Sequence, residues 1–298
     1  MEKFSQYRDR GTQIAPFLPL RTQTTALQSF TGFLLFLLRL PLFLFIAGAY
    51  LLVFHWLPIG VLSRKAWLWS ILGVCGVWWV DLQVEGVKRG SLAQQSKKLP
   101  QPGTIIVSSY TSPLDAIYLA AIFDPIFTTT YPSTRLVERV SLPVFLWRYF
   151  TPPMLHPPPG AKMTPLPTLI GQNPNRTVLL FPEATPTNGR GILRFTPALA
   201  SAPKQTKIFP VSLKYTPADI TTPVPGALVE FAYNLMSKPT HCIRVRIGEA
   251  IYNVDENEEE AVCDAGAEAL ARIGRIKRLN LGVREKVGFV EAWRRNRK

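Results

Sequence analysis

The most conspicuous pattern along this chain is an apolar one. From Phe30 to Phe54, leucine, phenylalanine, isoleucine and alanine run almost unbroken, interrupted by Arg39 and Pro41. At roughly 25 residues this run is long enough to cross a bilayer as a helix, and Pro41 is expected to kink or break it. A second run, Ala66–Val80 (AWLWSILGVCGVWWV), is about 15 residues and too short to span comfortably. Between and along them lie His55, Trp56, Trp67, Trp69, Trp78 and Trp79, and tryptophan is typical of a membrane–water interface. Two geometries fit: one span followed by an interfacial helix, or a hairpin that enters and leaves through one leaflet. Basic residues flank both outer ends, Arg8, Arg10 and Arg21 before and Lys88, Arg89, Lys97 and Lys98 after. The positive-inside rule then puts both ends in the cytosol and favours the hairpin, which a lipid-droplet monolayer can also hold. The late start of the apolar run and the lack of a small-residue cleavage site exclude a cleavable signal peptide.

The pattern divides the chain into a cytosolic arm over residues 1–28 that packs back on the domain, a membrane-embedded segment over 29–81, and a domain over 82–298. In that domain short β-branched and apolar runs alternate with helical ones. Strands are expected at Leu82–Val87, Thr104–Ser109, Thr128–Tyr131, Arg176–Phe181 and Lys207–Lys214, the last with Pro210 at its end or at a bulge. Cys242–Gly248 alternates apolar and arginine, as a half-buried strand near a sheet edge does. Helices are expected at Ala116–Phe123, over a short stretch at Ile192–Ala200, and after the acidic run that starts at Asp255. In that last helix Val262, Ala265, Ala269, Ile273 and Ile276 face the sheet. Gly226–Tyr233 suits a strand or a short helix. Arg135–Phe150 is amphipathic and aromatic, a lining for a lipid-facing groove, and the proline-rich TPPMLHPPPGAK that follows is a loop carrying His156.

Composition narrows the partners. The chain has 298 residues, 47% of them hydrophobic, with a formal charge of +14. So basic a chain suits an anionic membrane surface or nucleic acid; with no nucleic-acid-binding module and with its cations beside apolar segments, membrane lipid is the partner and nucleic acid is not. The tail is the most basic part, with Arg284, Lys286, Arg294, Arg295, Arg297 and Lys298. Three cysteines, none in a C-x-x-C pair, give neither a disulfide framework nor a metal site.

Two turns carry the chemistry. Tyr110-Thr-Ser-Pro-Leu-Asp115 joins the strand Thr104–Ser109 to the helix after it. Ser112 suits the N-cap, Pro113 the first helical position and Asp115 the third, as in a capping box. Phe181-Pro-Glu-Ala-Thr-Pro-Thr-Asn-Gly189 follows a second strand, so both turns sit at strand carboxyl ends, where α/β sheets bind ligands.

As YTSPLD and FPEATPT these turns resemble the H-x-x-x-x-D and F-P-E-G-T-x-S motifs of the glycerolipid acyltransferase family, the lysophosphatidic acid acyltransferases. Phe209-Pro210-Val211 and the apolar N-terminal segment extend the resemblance over most of the chain. Its opening and closing stretches are most similar to fungal members of the endoplasmic reticulum and lipid droplets. The resemblance implies an α/β fold with a mixed central sheet flanked by helices and an N-terminal membrane-embedded hairpin. It also implies transfer of an acyl chain, oleoyl in those fungal members, from acyl-CoA to a lysophospholipid such as lysophosphatidic acid. No cofactor is implied beyond acyl-CoA as co-substrate.

In the family the motif histidine is the base and the aspartate orients it. Asp115 stands at the matching position, but Tyr110 replaces the histidine. To act as a base at pH 7 a phenol must give up about three pK units, about 4 kcal/mol. Tyr110 therefore suits a hydrogen-bond donor, leaving Asp115 as a weak base or His156 as a stand-in. In the second motif Ala184 replaces glycine and Pro186 the arginine often found there. Ser112, Glu183, Thr185, Asn188 and Gly189 remain as acceptor-site residues, and phosphate recognition falls to Arg135, Arg190 and Arg194. These departures leave a second reading open: a catalytically impaired member of the fold that binds lipid or serves membrane trafficking.

Overall fold

The computed structural model describes residues 2–54, 60–88, 95, 97–253 and 259–296. His55, Trp56, Arg89, Asp255, Arg297 and Lys298 lie outside the described residues. A long apolar helix, α1 (Ala26–Ala49), opens with Thr25 as its cap and runs through Pro41. A π-helical turn, Tyr50–Phe54, continues it, and the most apolar 18 residues within Ala26–Leu52 have a mean hydropathy of 2.2. The lone cation within it turns inward: the Arg39 guanidinium donates to the Met236, Lys238 and Pro239 carbonyls. Leu38, Phe45 and Leu52 on the other faces are exposed.

The second apolar run does not form one element. Helix α2 (Val61–Val74) ends before the strand β1 (Val77–Val84) begins, so the sheet starts at Val77 and not at Leu82. Gly76, at φ 80°, makes the turn between them. One face of α2 (Leu68, Ile71, Leu72) is buried in the domain core, whereas Val61, Leu62 and Trp69 remain exposed. The arm that precedes α1 packs back as expected, with Phe17 buried against Phe289 at 5.7 Å between rings.

The remaining strands are β2 (Ile105–Ser108), β3 (Ile126–Thr129), β4 (Val137–Val140), β5 (Met163–Thr164), β6 (Val178–Leu180), β7 (Gly191–Ile192), β8 (Ile208–Thr216), β9 (His241–Ile247) and β10 (Lys277–Arg278). Eight form one mixed sheet in the order β1-β9-β8-β2-β6-β3-β4-β5, and β7 pairs with β10 apart from it. The centre, β8-β2-β6-β3, is parallel. Its strands read as continuous apolar runs because both faces are covered. Pro210 sits inside β8 where the β9 ladder stops: pairing ends at Val211↔Ile247, and the Pro210 carbonyl accepts from Gly248 N at 2.9 Å.

Helices α3 (Pro113–Phe123), α4 (Leu142–Arg148) and α6 (Leu228–Met236) share one face of the sheet with α2 and the inner side of α1. Helix α5 (Leu166–Gln172), the 3-10 turn Pro197–Ser201 and α7 (Glu259–Gly274) cover the other. Three expectations need correction. Ile192–Ala200 is not a helix, because Gly191–Ile192 is drawn into the small sheet and only Pro197–Ser201 turns. On α7, Ala265 is exposed and Ile276 lies past the helix end, and the buried stripe is Val262, Ala267, Ala269, Leu270 and Ile273. Lys286, on the last helix α8 (Val283–Arg295), stands apart from the other cations of the basic tail, because it is completely buried.

Candidate active site

Four parallel strands end on one edge of the sheet, and the two motif turns meet there. After β2 the chain leaves the ladder at Ser109, and Ser112 caps α3 with its hydroxyl accepting from Leu114 N at 3.3 Å. Asp115, third in the helix, turns back. Its carboxylate accepts from Thr111 N and Ser112 N, both at 2.8 Å, and from Thr111 Oγ1 at 3.0 Å. The other oxygen takes a hydrogen bond from the Tyr215 hydroxyl at the end of β8. Asp115 has no exposed surface. Burial raises its pKa to about 6, and the hydrogen bonds only partly oppose that rise.

Glu183 reaches the same turn from the end of β6. One oxygen accepts from Tyr110 N at 3.1 Å and the other from Leu193 N at 3.0 Å. Thus the amides of three successive residues, 110, 111 and 112, are divided between the acids of the two motifs. The carbonyls are held as well, with Thr187 N on Tyr110 O at 2.8 Å and Thr222 N on Thr111 O at 3.0 Å. Glu183 is wholly buried, and burial lifts its pKa to about 8 with a smaller push from Asp115. Ala184 follows at φ 53°, a left-handed conformation that explains why glycine suits this position.

Tyr110 is buried, and its ring points into an aromatic cluster. It lies edge-on to Tyr149 at 4.5 Å, at 5.0 Å from Phe181, and stacked on Phe145 at 5.7 Å. Burial drives its pKa up, away from any role as a base. Among the described histidines, His156 is exposed in its loop, and His241 is buried with Nε2 at 2.7 Å from the Leu235 carbonyl. Neither forms a hydrogen bond with Asp115.

Beside the Asp115 turn is an open cleft of ≈ 330 Å³, lined in part by Thr111, Gly189, Arg190, Lys214 and Tyr215. Gly189, at φ 73°, is pressed against Thr111, and a Cβ there would meet the threonine methyl at 3.3 Å. Arg190 is exposed at the rim. Asn188 also lines the cleft, but its amide nitrogen is committed to the Ala15 and Leu18 carbonyls at 2.8 and 2.9 Å, which fastens the N-terminal arm to the motif. Thr185 is buried, and its hydroxyl has no hydrogen-bond partner among the described residues. Arg194 lines a different cleft, of ≈ 790 Å³, with Arg278 and Asn280. Arg135 is exposed in the segment before β4, where its carbonyl accepts from Ser201 Oγ at 3.3 Å.

Two residues escaped the sequence. Tyr215 is one place beyond the strand expected to end at Lys214, and its alternation with Val211 and Leu213 was the available signal. Lys286 spans between loops, donating to the Pro186 carbonyl at 2.8 Å and to that of Pro223, with its ammonium 4.9 Å from the Phe17 ring centre. Burial lowers its pKa to about 7.

No family model matches this chain. It is 31% identical, over 98% of both sequences, to a Schizosaccharomyces pombe protein provisionally named as a lysophosphatidic acid:oleoyl-CoA acyltransferase. It is 26% identical, over 98% of its own length and 97% of the relative's, to lysophosphatidic acid:oleoyl-CoA acyltransferase 1 of Saccharomyces cerevisiae. Among solved structures, PlsC, the 1-acyl-sn-glycerophosphate acyltransferase of Thermotoga maritima, overlaps 82% of this chain and 97% of its own at 17% identity and a TM-score of 0.42.

Proposed function

The chain belongs to the PlsC-like lysophosphatidic acid acyltransferase family, and on that premise we propose that it transfers an acyl chain from acyl-CoA to lysophosphatidic acid, giving phosphatidic acid at a membrane surface. The observation that carries this reading is the cleft in which Tyr215, hydrogen-bonded to Asp115, meets Arg190 and Lys214. The Arg190 guanidinium suits the acceptor's phosphate, and the tyrosine–aspartate pair suits its hydroxyl. With the substrate oxygen at Tyr215, its proton passes to the phenol oxygen while the phenol proton moves to Asp115. The freed alkoxide adds to the thioester carbonyl, the C–S bond breaks, and the proton held on Asp115 returns through Tyr215 to the departing thiolate. Tyr215 never has to ionise, which matters because burial holds its pKa well above 10. A carboxylate with a pKa of about 6 is a better proton acceptor than an ordinary aspartate.

The exposed apolar face of α1 supports a site held against a bilayer or a droplet monolayer; the endoplasmic reticulum and lipid droplets, with the domain on the cytosolic side, are the places this reading proposes for it. The fungal relatives' names favour oleoyl-CoA as the donor. A second reading, a lipid-binding member without turnover, draws on one observation: the motif position of the base is filled by Tyr110, packed among aromatic rings.

Purified protein in detergent, given labelled oleoyl-CoA and lysophosphatidic acid, decides between the two. Labelled phosphatidic acid should form, and Asp115→Asn should lower its rate by about a hundredfold or more. Tyr215→Phe should lower the rate by about tenfold or more with folding intact. Product formation that survives Asp115→Asn unchanged would move the chemistry elsewhere. Folded wild-type protein that makes no product supports the second reading.

A further inference from the structure

Next to the cleft, on the α7 face of the sheet, like charges stand side by side. Lys214 on β8 and Arg244 on β9 are direct cross-strand partners, and Arg246 is opposite Ser212, one step along the same face. Arg275, just past the end of α7, is the third arginine that acts on Lys214. Cross-strand pairs of like sign are destabilising, and little offsets them here. Arg244 has Asp81 at 3.4 Å, a contact open to solvent. Arg246 is held by the Gln83 side chain at 3.2 Å and the Ile273 carbonyl at 3.0 Å, both neutral groups. Burial and the three arginines lower the Lys214 pKa. Lys214 also lines the Asp115–Tyr215 cleft, so the cationic stripe opens directly into it.

We propose that this stripe is the seat of the donor's nucleotide end: the diphosphate and 3′-phosphate of coenzyme A lie across Lys214, Arg244, Arg246 and Arg275, and the pantetheine arm runs from there into the cleft beside Tyr215. The inference rests on the acyl-CoA reading above and adds the place where that substrate is held. Helix α1 packs on the opposite face of the sheet from the stripe. A bilayer that takes up the apolar side of α1 therefore does not meet these cations, and a water-soluble polyanion does. Three cations on one sheet face and a fourth at the end of α7 suit a ligand whose charge is spread over several phosphates, and such contacts weaken as salt rises.

The test is calorimetric binding of free coenzyme A and of 3′-dephospho-coenzyme A to the full chain in detergent micelles. It compares wild type with Lys214→Gln, Arg244→Gln and the surface variant Arg275→Gln. Wild type should bind coenzyme A, and each variant should bind it about tenfold more weakly, the factor lost with one charge-assisted hydrogen bond. Ligand should raise the thermal midpoint of wild type more than that of any variant. Arg275→Gln, exposed and outside the sheet, keeps the test valid if a strand variant misfolds. Equal affinity in all variants would overturn the assignment and leave the donor reading standing. No binding of coenzyme A by wild type would overturn both. A parallel arm uses phosphatidylserine vesicles: variants that lose vesicle binding but keep full affinity for coenzyme A would assign the stripe to lipid instead.

Discussion

Asp115 and Glu183 stand at the carboxyl ends of neighbouring parallel strands, and neither has exposed surface. Their surroundings differ in kind. Asp115 gathers four donors, three of them from its own turn and the last from Tyr215 across the sheet. Glu183 takes only two, both backbone amides, one from Tyr110 on the other motif and one from Leu193 ten residues on. Asp115 takes a hydrogen bond from Tyr215, a residue that lines an open cleft, whereas Glu183 is sealed behind the turn it clamps. Two motif acids that look equivalent along the chain thus separate into one placed to exchange a proton and one placed to hold backbone. In this fold a strand-end carboxylate takes its role from whether its donors can move. Tyr215 can pass a proton on, and a peptide amide cannot.

The most severe way to break that contrast is Glu183→Ala. It leaves the Tyr110 and Leu193 amides unpaired in a dry interior, each costing on the order of 1–3 kcal/mol, and it opens a cavity besides. At neutral pH part of this loss is masked, because the substitution also removes an acid whose burial is unfavourable. At pH 5 that relief is small, and a destabilisation of about 4 kcal/mol should appear in denaturant unfolding. A loss under 1 kcal/mol at pH 5 would mean that the clamp is not what orders the Asp115 turn.

The pH profile of the wild type asks whether the two acids are buried as described. Both pKa values lie above their ordinary range, Asp115 at about 6 and Glu183 at about 8. The folded chain therefore binds more protons than the unfolded one between about pH 4 and 8. Their contribution is fully present below the unfolded values and is lost as pH rises through the folded ones. Stability should fall between pH 5 and 7 by about 1 to 2 kcal/mol per pH unit. Lys286, with its lowered pKa of about 7, works in the opposite sense only above that value. Thermal midpoints across this window, with Glu183→Gln for comparison, provide the check: the slope should shrink in the variant, and a flat wild-type profile would contradict the burial of both acids.

Much of this arrangement can be read along the chain, and the exceptions share a cause. β2, α3 and β6 announce themselves by apolar runs and by the Ser112-Pro113 start, because local chemistry fixes them. The inward turn of Arg39 is not legible, since its partners are carbonyls at the far end of α6. Lys286 reads as one cation among many in a basic tail, and only the Pro186 and Pro223 carbonyls, brought over from distant loops, make its burial tolerable. Tyr215 lies 100 residues from Asp115, so no spacing rule pairs them. The break between α2 and β1 is hidden because tryptophan and valine serve a membrane interface and a strand equally well. Ile192–Ala200 fails as a helix for a related reason: Gly191–Ile192 finds a strand partner in Lys277–Arg278, and such a pairing leaves no local mark.

The smallest expected effect separates side chain from main chain within the Asp115 turn. Ser112 contributes twice. Its amide goes to Asp115 at 2.8 Å, and its hydroxyl accepts from Leu114 N at 3.3 Å as the cap of α3. Ser112→Ala keeps the first bond and removes the second, so the loss should be that of an ordinary cap, about 1 kcal/mol. With the amide ladder to Asp115 intact, Tyr215 and the cleft keep their places. The Michaelis constant for lysophosphatidic acid should then stay unchanged while the thermal midpoint drops by a few degrees. Were the hydroxyl instead a ligand for the acceptor, the Michaelis constant would rise by about tenfold while the midpoint moved no further. The two readouts divide cleanly because Ser112 is fully buried beneath Thr111, the residue of this turn that lines the cleft. A rise in the Michaelis constant would require the turn to open, and the Thr222 N to Thr111 O and Glu183 to Tyr110 N contacts oppose that opening.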